Sequence, residues 1–131
     1  RVPAHCSASG KLLLAQMSPA QRQRLLGHAP LAAYTPKTVT ALPALEQMLK
    51  AVRRDGHALD DEEFLPGLLC VAVLVPSDTG RSNLCVAVQA PVMRLPREKA
   101  ESVLPALQRA ALALADIERG VSRTPAAEAA R

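Results

Sequence analysis

The chain has no tryptophan, one phenylalanine and one tyrosine among 131 residues. A domain so poor in aromatics has few flat side chains on which to stack bases, and its core must be Leu, Val and Ala packed by interdigitation. Cysteine is scarce too: there are three, an odd number, and none forms a CxxC pair. Neither a disulfide framework nor a zinc finger is therefore indicated. Cys85 reads as a small buried hydrophobe. Cys70 and Cys85 fall on neighbouring apolar runs and are expected to stay reduced thiols. Also missing is any run of about eighteen uncharged apolar residues, the length of a membrane span. The apolar stretch Leu12 to Ala15 is short and lacks a cleavage pattern, so a secretory signal is not expected. A cytoplasmic location without a membrane partner is the expectation. The net charge of +4 comes from 16 basic and 12 acidic residues, but no basic stripe forms. Arg22 and Arg24, Arg53 and Arg54, Arg81, Arg94, Arg97 and Arg109 are scattered over different segments, as on a solvated surface. Direct contact of this segment with DNA is not expected.

What is present is an apolar fraction of 49%, enough for one domain with a modest core. The patterning predicts a helix from about Ser7 to Gln16. A second starts at Ser18-Pro19, with an N-cap and a proline in its first turn, and stops at Gly27. Residues 28–41, broken by Pro30 and Pro36, read as a loop. A third helix, about Pro43 to Arg54, carries Leu45, Met48, Leu49 and Val52 at helical spacing and ends at Asp55-Gly56. A short strand follows from His57 to Asp60. Two valine-rich strands, Leu68 to Val75 and Leu84 to Gln89, are joined by the turn residues 76–81 as an antiparallel hairpin. A long helix is predicted from about Pro96 to Arg119, with Ala100, Val103, Leu107, Ala110, Leu114 and Ile117 on one face and a bend at Pro105. The tail 121–131 is small, polar and alanine-rich, and is expected to be flexible. This gives one domain over 1–120 followed by that tail.

Three segments carry candidate chemistry. In the first, His5-Cys6-Ser7-Ala8-Ser9-Gly10-Lys11 feeds straight into an apolar helix. Serines and a glycine there leave backbone N–H groups facing outward at the positive end of the helix dipole, which suits an anion; Ser7 and Ser9 equally read as plain caps. The second segment is Asp60-Asp61-Glu62-Glu63-Phe64-Leu65-Pro66-Gly67-Leu68-Leu69-Cys70. Four consecutive carboxylates mostly repel one another and face water. The third is Gln89-Ala90-Pro91-Val92-Met93-Arg94-Leu95. Cys6 or Cys70 with His5, His28 or His57 as base would suit nucleophilic catalysis, yet no motif fixes such a pair. His5, Cys6, His57 and Asp60 have no diagnostic metal spacing. Catalytic, metal and cofactor sites are accordingly not expected, and a structural assembly module stays open beside a binding domain.

The order and spacing of the three segments resemble the effector-binding domain of the IclR family of transcriptional regulators, from Pro3 to about Ile117. The resemblance implies a GAF-like α/β (α+β) fold, a twisted and mainly antiparallel sheet flanked by helices. It implies a small-molecule effector, often a carboxylate, and operator binding through a winged helix-turn-helix that precedes this domain in the family. That DNA-binding part and the first strands of the domain are expected to be absent here. A homo-oligomer, dimer or tetramer, is also implied. Carried over residue by residue, the family's pocket falls on Ala8 and Ser9 at the helix start, on Asp60, and on Leu68, Cys70, Ala87 and Gln89 of the hairpin. Family members that bind small keto acids commonly place small hydroxyl residues where this chain has Ala87 and Gln89. Gln89 reaches further and offers both donors and an acceptor, which implies a different ligand or pocket volume.

Overall fold

The computed structural model describes residues 3–120; the expected tail 121–131 lies outside the described residues. A single 3-10 turn, Ala4–Cys6, leads into α1, Ala8–Gln16. Ser7 caps α1 by accepting a hydrogen bond from the Gly10 amide, 3.0 Å away. Gly10 is required here by space rather than by dihedral angle: a Cβ would come within 2.5 Å of Ala4 Cα, Ala4 O and Ser7 Oγ. The 3-10 turn thus packs straight onto the first turn of α1.

Helix α2, Pro19–Leu26, begins with a full capping box between Ser18 and Gln21, the pairing that Ser18-Pro19 announces. Helix α3, Leu42–Asp55, ends at Gly56, whose φ of 78° places it in the left-handed region. Strands β1, His57–Asp61, β2, Leu68–Leu74, and β3, Cys85–Pro91, follow. They form one antiparallel sheet in the order β1-β2-β3. The fold class expected from the sequence, an antiparallel sheet flanked by helices, is the one observed.

Helices sit on both faces of that sheet. Ala8, Leu12, Ala15, Leu45, Leu49 and Val52 of α1 and α3 bury one face with Ala58 and Ala72. Leu69, Val71, Val73 and Val75 line the other face and meet Leu107, Ala111 and Ala115 of α4, Leu104–Glu118. At an apolar burial value of about 25 cal/mol per Å², each sealed Leu contributes about 2 kcal/mol.

Two expectations for the last helix change. Residues Arg97–Val103 form a 3-10 segment, and α4 opens at Leu104. Pro105 stands in the first turn of α4 and starts it instead of bending it, because its missing N–H has no intrahelical partner there anyway. The buried face runs through Leu107, Ala111 and Ala115, while Leu114 and Ile117 are exposed. A helix with Leu and Ala on all sides carries no unique stripe, and the sheet selects which one it covers.

Arg22, expected among solvated arginines, is 2% exposed. It makes a bidentate pair with Glu46, 2.7 Å at each contact, and donates to the carbonyls of Leu14 and Met17. One guanidinium therefore fastens α2 to α3 and caps the end of α1.

Candidate functional site

Antiparallel register decides which of the strand residues can meet. Asp60 lies opposite Cys70, and Cys70 lies opposite Gln89. Directly paired residues share a face, so these three form a row across the sheet, about 10 Å from end to end. Leu68 is on the same face of β2, one pleat beyond Cys70, and Ala87 lies opposite Ala72 in the next row. All five strand positions carried over from the resemblance thus share one face, the face that α1 covers. Ala87 and Gln89 are exposed, Asp60, Leu68 and Cys70 are half-buried, and Ala8 is buried.

The orientation of α1 follows from five of its side chains. Ala8, Leu12 and Ala15 point onto the sheet. Lys11 leaves toward β1, where its Nζ donates to Leu59 O at 2.7 Å. Gln16 leaves toward the hairpin, its amide exchanging two 2.9 Å hydrogen bonds with the backbone of Ser82. Ser9 lies two turns before Gln16 on the same side of the helix and so faces the β3 side. The result is a corner, exposed at Gln89 on its β3 side and half-buried at Cys70 and Asp60. The start of α1 is one wall, and the row Asp60, Cys70 and Gln89 is the floor.

Helix geometry leaves the amides of Ala8 and Ser9 without intrahelical carbonyls, since Ser7 takes that of Gly10 and the Lys11 amide reaches Ser7 O. At the other side of the corner the Asp60 carboxylate accepts from the Glu63 amide at 2.8 Å. Burial, followed by the Glu63 charge, raises the Asp60 carboxyl above its ordinary range, against hydrogen bonds from the 63–64 backbone and the Lys11 charge. Burial, and after it Asp60, also pushes the Cys70 thiol up to about 11. Cys6 stands at about 11 for the same leading reason. Both thiols are protonated at neutral pH and are poor nucleophiles.

The acidic run differs from its expected exposure. Glu63 is 6% exposed and pairs with Lys11, itself 1% exposed, at 2.5 Å. Its second oxygen accepts from the Asp61 amide at 3.0 Å. Thr38 Oγ1 donates to Glu63 O, Thr35 Oγ1 donates to Glu62 O at 2.6 Å, and Lys37 meets Glu62 at 2.9 Å. These bonds hold Glu62 at a φ of 55°, a left-handed conformation rare for a side-chain residue. The signal for Lys11 is present in the sequence. The spacing 8, 11, 12, 15 puts a lone lysine on the buried stripe of α1, where a charge needs a partner.

The other chemical candidates do not assemble. His5 Nε2 is 2.8 Å from Ala32 O, His28 Nδ1 is 3.0 Å from Gln23, and the Cys6 thiol donates to Pro3 O. Among the described residues no group of His, Cys, Asp and Glu is placed to hold a metal ion. Cys85 is half-buried rather than buried. It pairs with Leu74 while Cys70 pairs with Gln89, which sets the two about 13 Å apart along the strands. A disulfide spans at most about 7 Å between Cα atoms. No described helix is long and apolar enough to cross a membrane.

Known proteins share this fold. The family model for the C-terminal part of the bacterial transcriptional regulator IclR matches residues 1–116. A probable transcriptional regulator SauR of Cupriavidus necator is 40% identical over 111 residues, 85% of this chain and 44% of that protein. The transcriptional repressor IclR of Escherichia coli is 33% identical over 95 residues, 72% of this chain and 35% of that protein. Among solved structures, a double mutant of the PobR inducer-binding domain from Acinetobacter, in complex with 3-hydroxybenzoic acid, superposes with a TM-score of 0.81. It is 28% identical and covers 89% of this chain and 67% of that one. The chain spans less than half the length of the curated relatives it matches. With the family model covering nearly all of it, the chain belongs to the IclR family of bacterial transcriptional regulators and corresponds to their C-terminal effector-binding domain.

Proposed function

We propose that this domain senses a small organic acid in the corner between α1 and the β3 side of the sheet, and passes its occupancy to a DNA-binding domain of the full-length regulator. The observation that carries the reading is the alignment of Asp60, Cys70 and Gln89 in one row on the sheet face that α1 covers with its first turns. The carboxylate of the effector binds at the Ala8 and Ser9 amides, helped by the Ser9 hydroxyl and the positive end of α1. Leu68 and Ala87 flank its apolar part over Cys70. Gln89 reads a polar substituent, and Asp60 accepts a hydrogen bond from a hydroxyl or amine on the effector. A ring or short chain with a carboxylate at one end and a donor at the other has the length of the row. 3-Hydroxybenzoic acid, held by the PobR domain, is a molecule of this kind.

The relatives are named as transcriptional regulators, which supports sensing over catalysis, as do two thiols held at about 11. Assembly with a second copy completes the proposal: β1 and β3 are both edge strands of the described sheet, and exposed edges favour pairing. The test is a thermal-shift screen of small carboxylates, 3-hydroxybenzoate included, on the unchanged chain and on Ser9→Leu. A ligand that binds only the folded state raises its melting temperature. The expected result is a shift in the unchanged chain that Ser9→Leu abolishes. Equal shifts in both place the site elsewhere.

A further inference from the structure

The wall and the floor of the proposed corner come from different elements. Ser9 is on α1, Asp60 is on β1, and they leave their elements on opposite sides of the helix. What joins them is Lys11. Its ammonium donates to Leu59 O at 2.7 Å and to Glu63 Oε1 at 2.5 Å. One contact lies just before Asp60 in sequence and the other just after the turn that Asp60 begins. The Glu63 amide then returns to Asp60 Oδ1 at 2.8 Å. Leu59, Asp60 and Glu63 thus form a closed loop of contacts around one lysine, which stands in the first turns of α1 on the side away from Ser9.

We infer that Lys11 is a positioning residue of the effector site: without touching the effector, it fixes the turn carrying Asp60 against the start of α1 and so sets the distance between the carboxylate and the anion-binding amides. The inference rests on the site reading given above. Several features favour this role over plain stability. An ion pair buried to this degree is a poor stabiliser, because desolvating both charges offsets most of their attraction. A well-packed apolar pair would fill the same space. What an apolar pair would not supply is direction: Lys11 addresses a strand-edge carbonyl and a carboxylate oxygen at the same time, and Glu63 uses its other oxygen on the Asp61 amide. The turn is also fastened from its outer side, by Thr38 on Glu63 O and Thr35 on Glu62 O. Asp60 therefore lies between two fastened points, the Leu59 carbonyl and Glu63. Lys11 also lies close enough for its charge to oppose the burial that raises the Asp60 carboxyl.

Lys11→Met alone leaves the Glu63 charge buried without a partner and is expected to unfold the domain. The paired variant Lys11→Met with Glu63→Gln removes both charges together, so Asp60 feels little net change of field and a change in its behaviour reports its position. The readout is the amide proton of Glu63 in the ligand-free chain, followed by NMR through the titration of Asp60. In the unchanged chain that proton tracks the ionisation of Asp60, its acceptor. In the paired variant the tracking is lost, and hydrogen exchange at Glu63 quickens about tenfold or more while the Leu45–Leu49 amides are unchanged. Unaltered tracking and exchange in a folded paired variant would overturn the inference. A second arm titrates 3-hydroxybenzoate. A loss of affinity of about tenfold in the paired variant supports the role in the site. Equal affinity in both chains overturns it. Should the unchanged chain not bind this acid while the Glu63 amide behaves as expected, the site reading is weakened and the hold of Lys11 on Asp60 stands.

Discussion

On the side of β2 that meets α4, Leu69, Val71, Val73 and Val75 are sealed, none more than 3% exposed. On the other side of the same strand, Leu68, Cys70 and Leu74 are only half-buried, and across on β3 Ala87 and Gln89 are open. One face is aliphatic and closed; the other mixes small, thiol, amide and carboxylate groups under a helix that covers only part of it. The closed face contributes cohesion. The other face is sealed at Ala58 and Ala72 but half-buried at Asp60 and Cys70 and exposed at Ala87 and Gln89, which is where the proposed site lies. A single strand serves both purposes because its side chains alternate.

The sharpest way to break this contrast is to damage the closed face. Leu69→Ala empties a fully buried position and should cost about 3 kcal/mol in chemical denaturation. Its neighbour in sequence, Cys70→Ala, points to the open side and should cost much less. Similar losses from the two would mean that the faces are not distinct. Next in size is Gly10→Ala, which forces a Cβ into the backbone of Ala4 and should destabilise by about 1–3 kcal/mol. A measured cost near zero would show that the 3-10 turn yields freely.

Much of this was readable from residue patterns. Prolines and glycines mark the ends of α2 and α3, and valine alternation marks β2 and β3. The hairpin then follows from its turn residues, but only the folded sheet sets the register that aligns Asp60 of β1 with Cys70 and Gln89. The buried ion pair was not readable in the same way. A run of four carboxylates is usually solvated, and only the folded chain reveals that Thr35, Thr38 and Lys11 turn Glu63 inward. Arg22 was hidden for a related reason, since its acceptors include carbonyls at the end of α1 that exist only once that helix has stopped. The face of α4 was ambiguous because Leu and Ala surround it.

The open face should also answer to pH. The Asp60 carboxyl is raised in the fold relative to the unfolded chain, chiefly by burial. The native state therefore holds the proton more tightly, and this contribution to stability is fully present below the unfolded value. It is lost as pH rises through the raised value. Asp60→Asn should remove that dependence and stabilise the ligand-free domain at neutral pH, as measured by melting temperature across pH. Loss of stability in that variant at neutral pH would mean the ionised carboxylate is preferred in place. Thiol chemistry gives a companion check: Cys6 and Cys70, at about 11, should react with a disulfide reagent far more slowly than free cysteine at neutral pH. The smallest effect is expected at the rim. Gln89→Ala should leave stability unchanged and weaken effector binding by about 1 kcal/mol, measured by calorimetry with an acid found in the screen.

The two hydrogen bonds between Gln16 and Ser82 have a practical consequence. Together with the Val75 amide on Leu84 O at 2.9 Å, they close the base of the β2–β3 connection against the end of α1. The tip beyond that closure has Asp78, Thr79, Gly80 and Arg81 exposed, and Asp78 meets Arg119 at the end of α4 in a surface ion pair at 3.2 Å. Lengthening a surface loop adds only a slowly growing entropy cost, about 0.6 kcal/mol per doubling. The tip is therefore the place to graft a peptide tag or a fluorophore, at the end of α1 away from Ala8 and Ser9. A label there would follow the domain through assembly and ligand titration without entering the corner proposed for the effector.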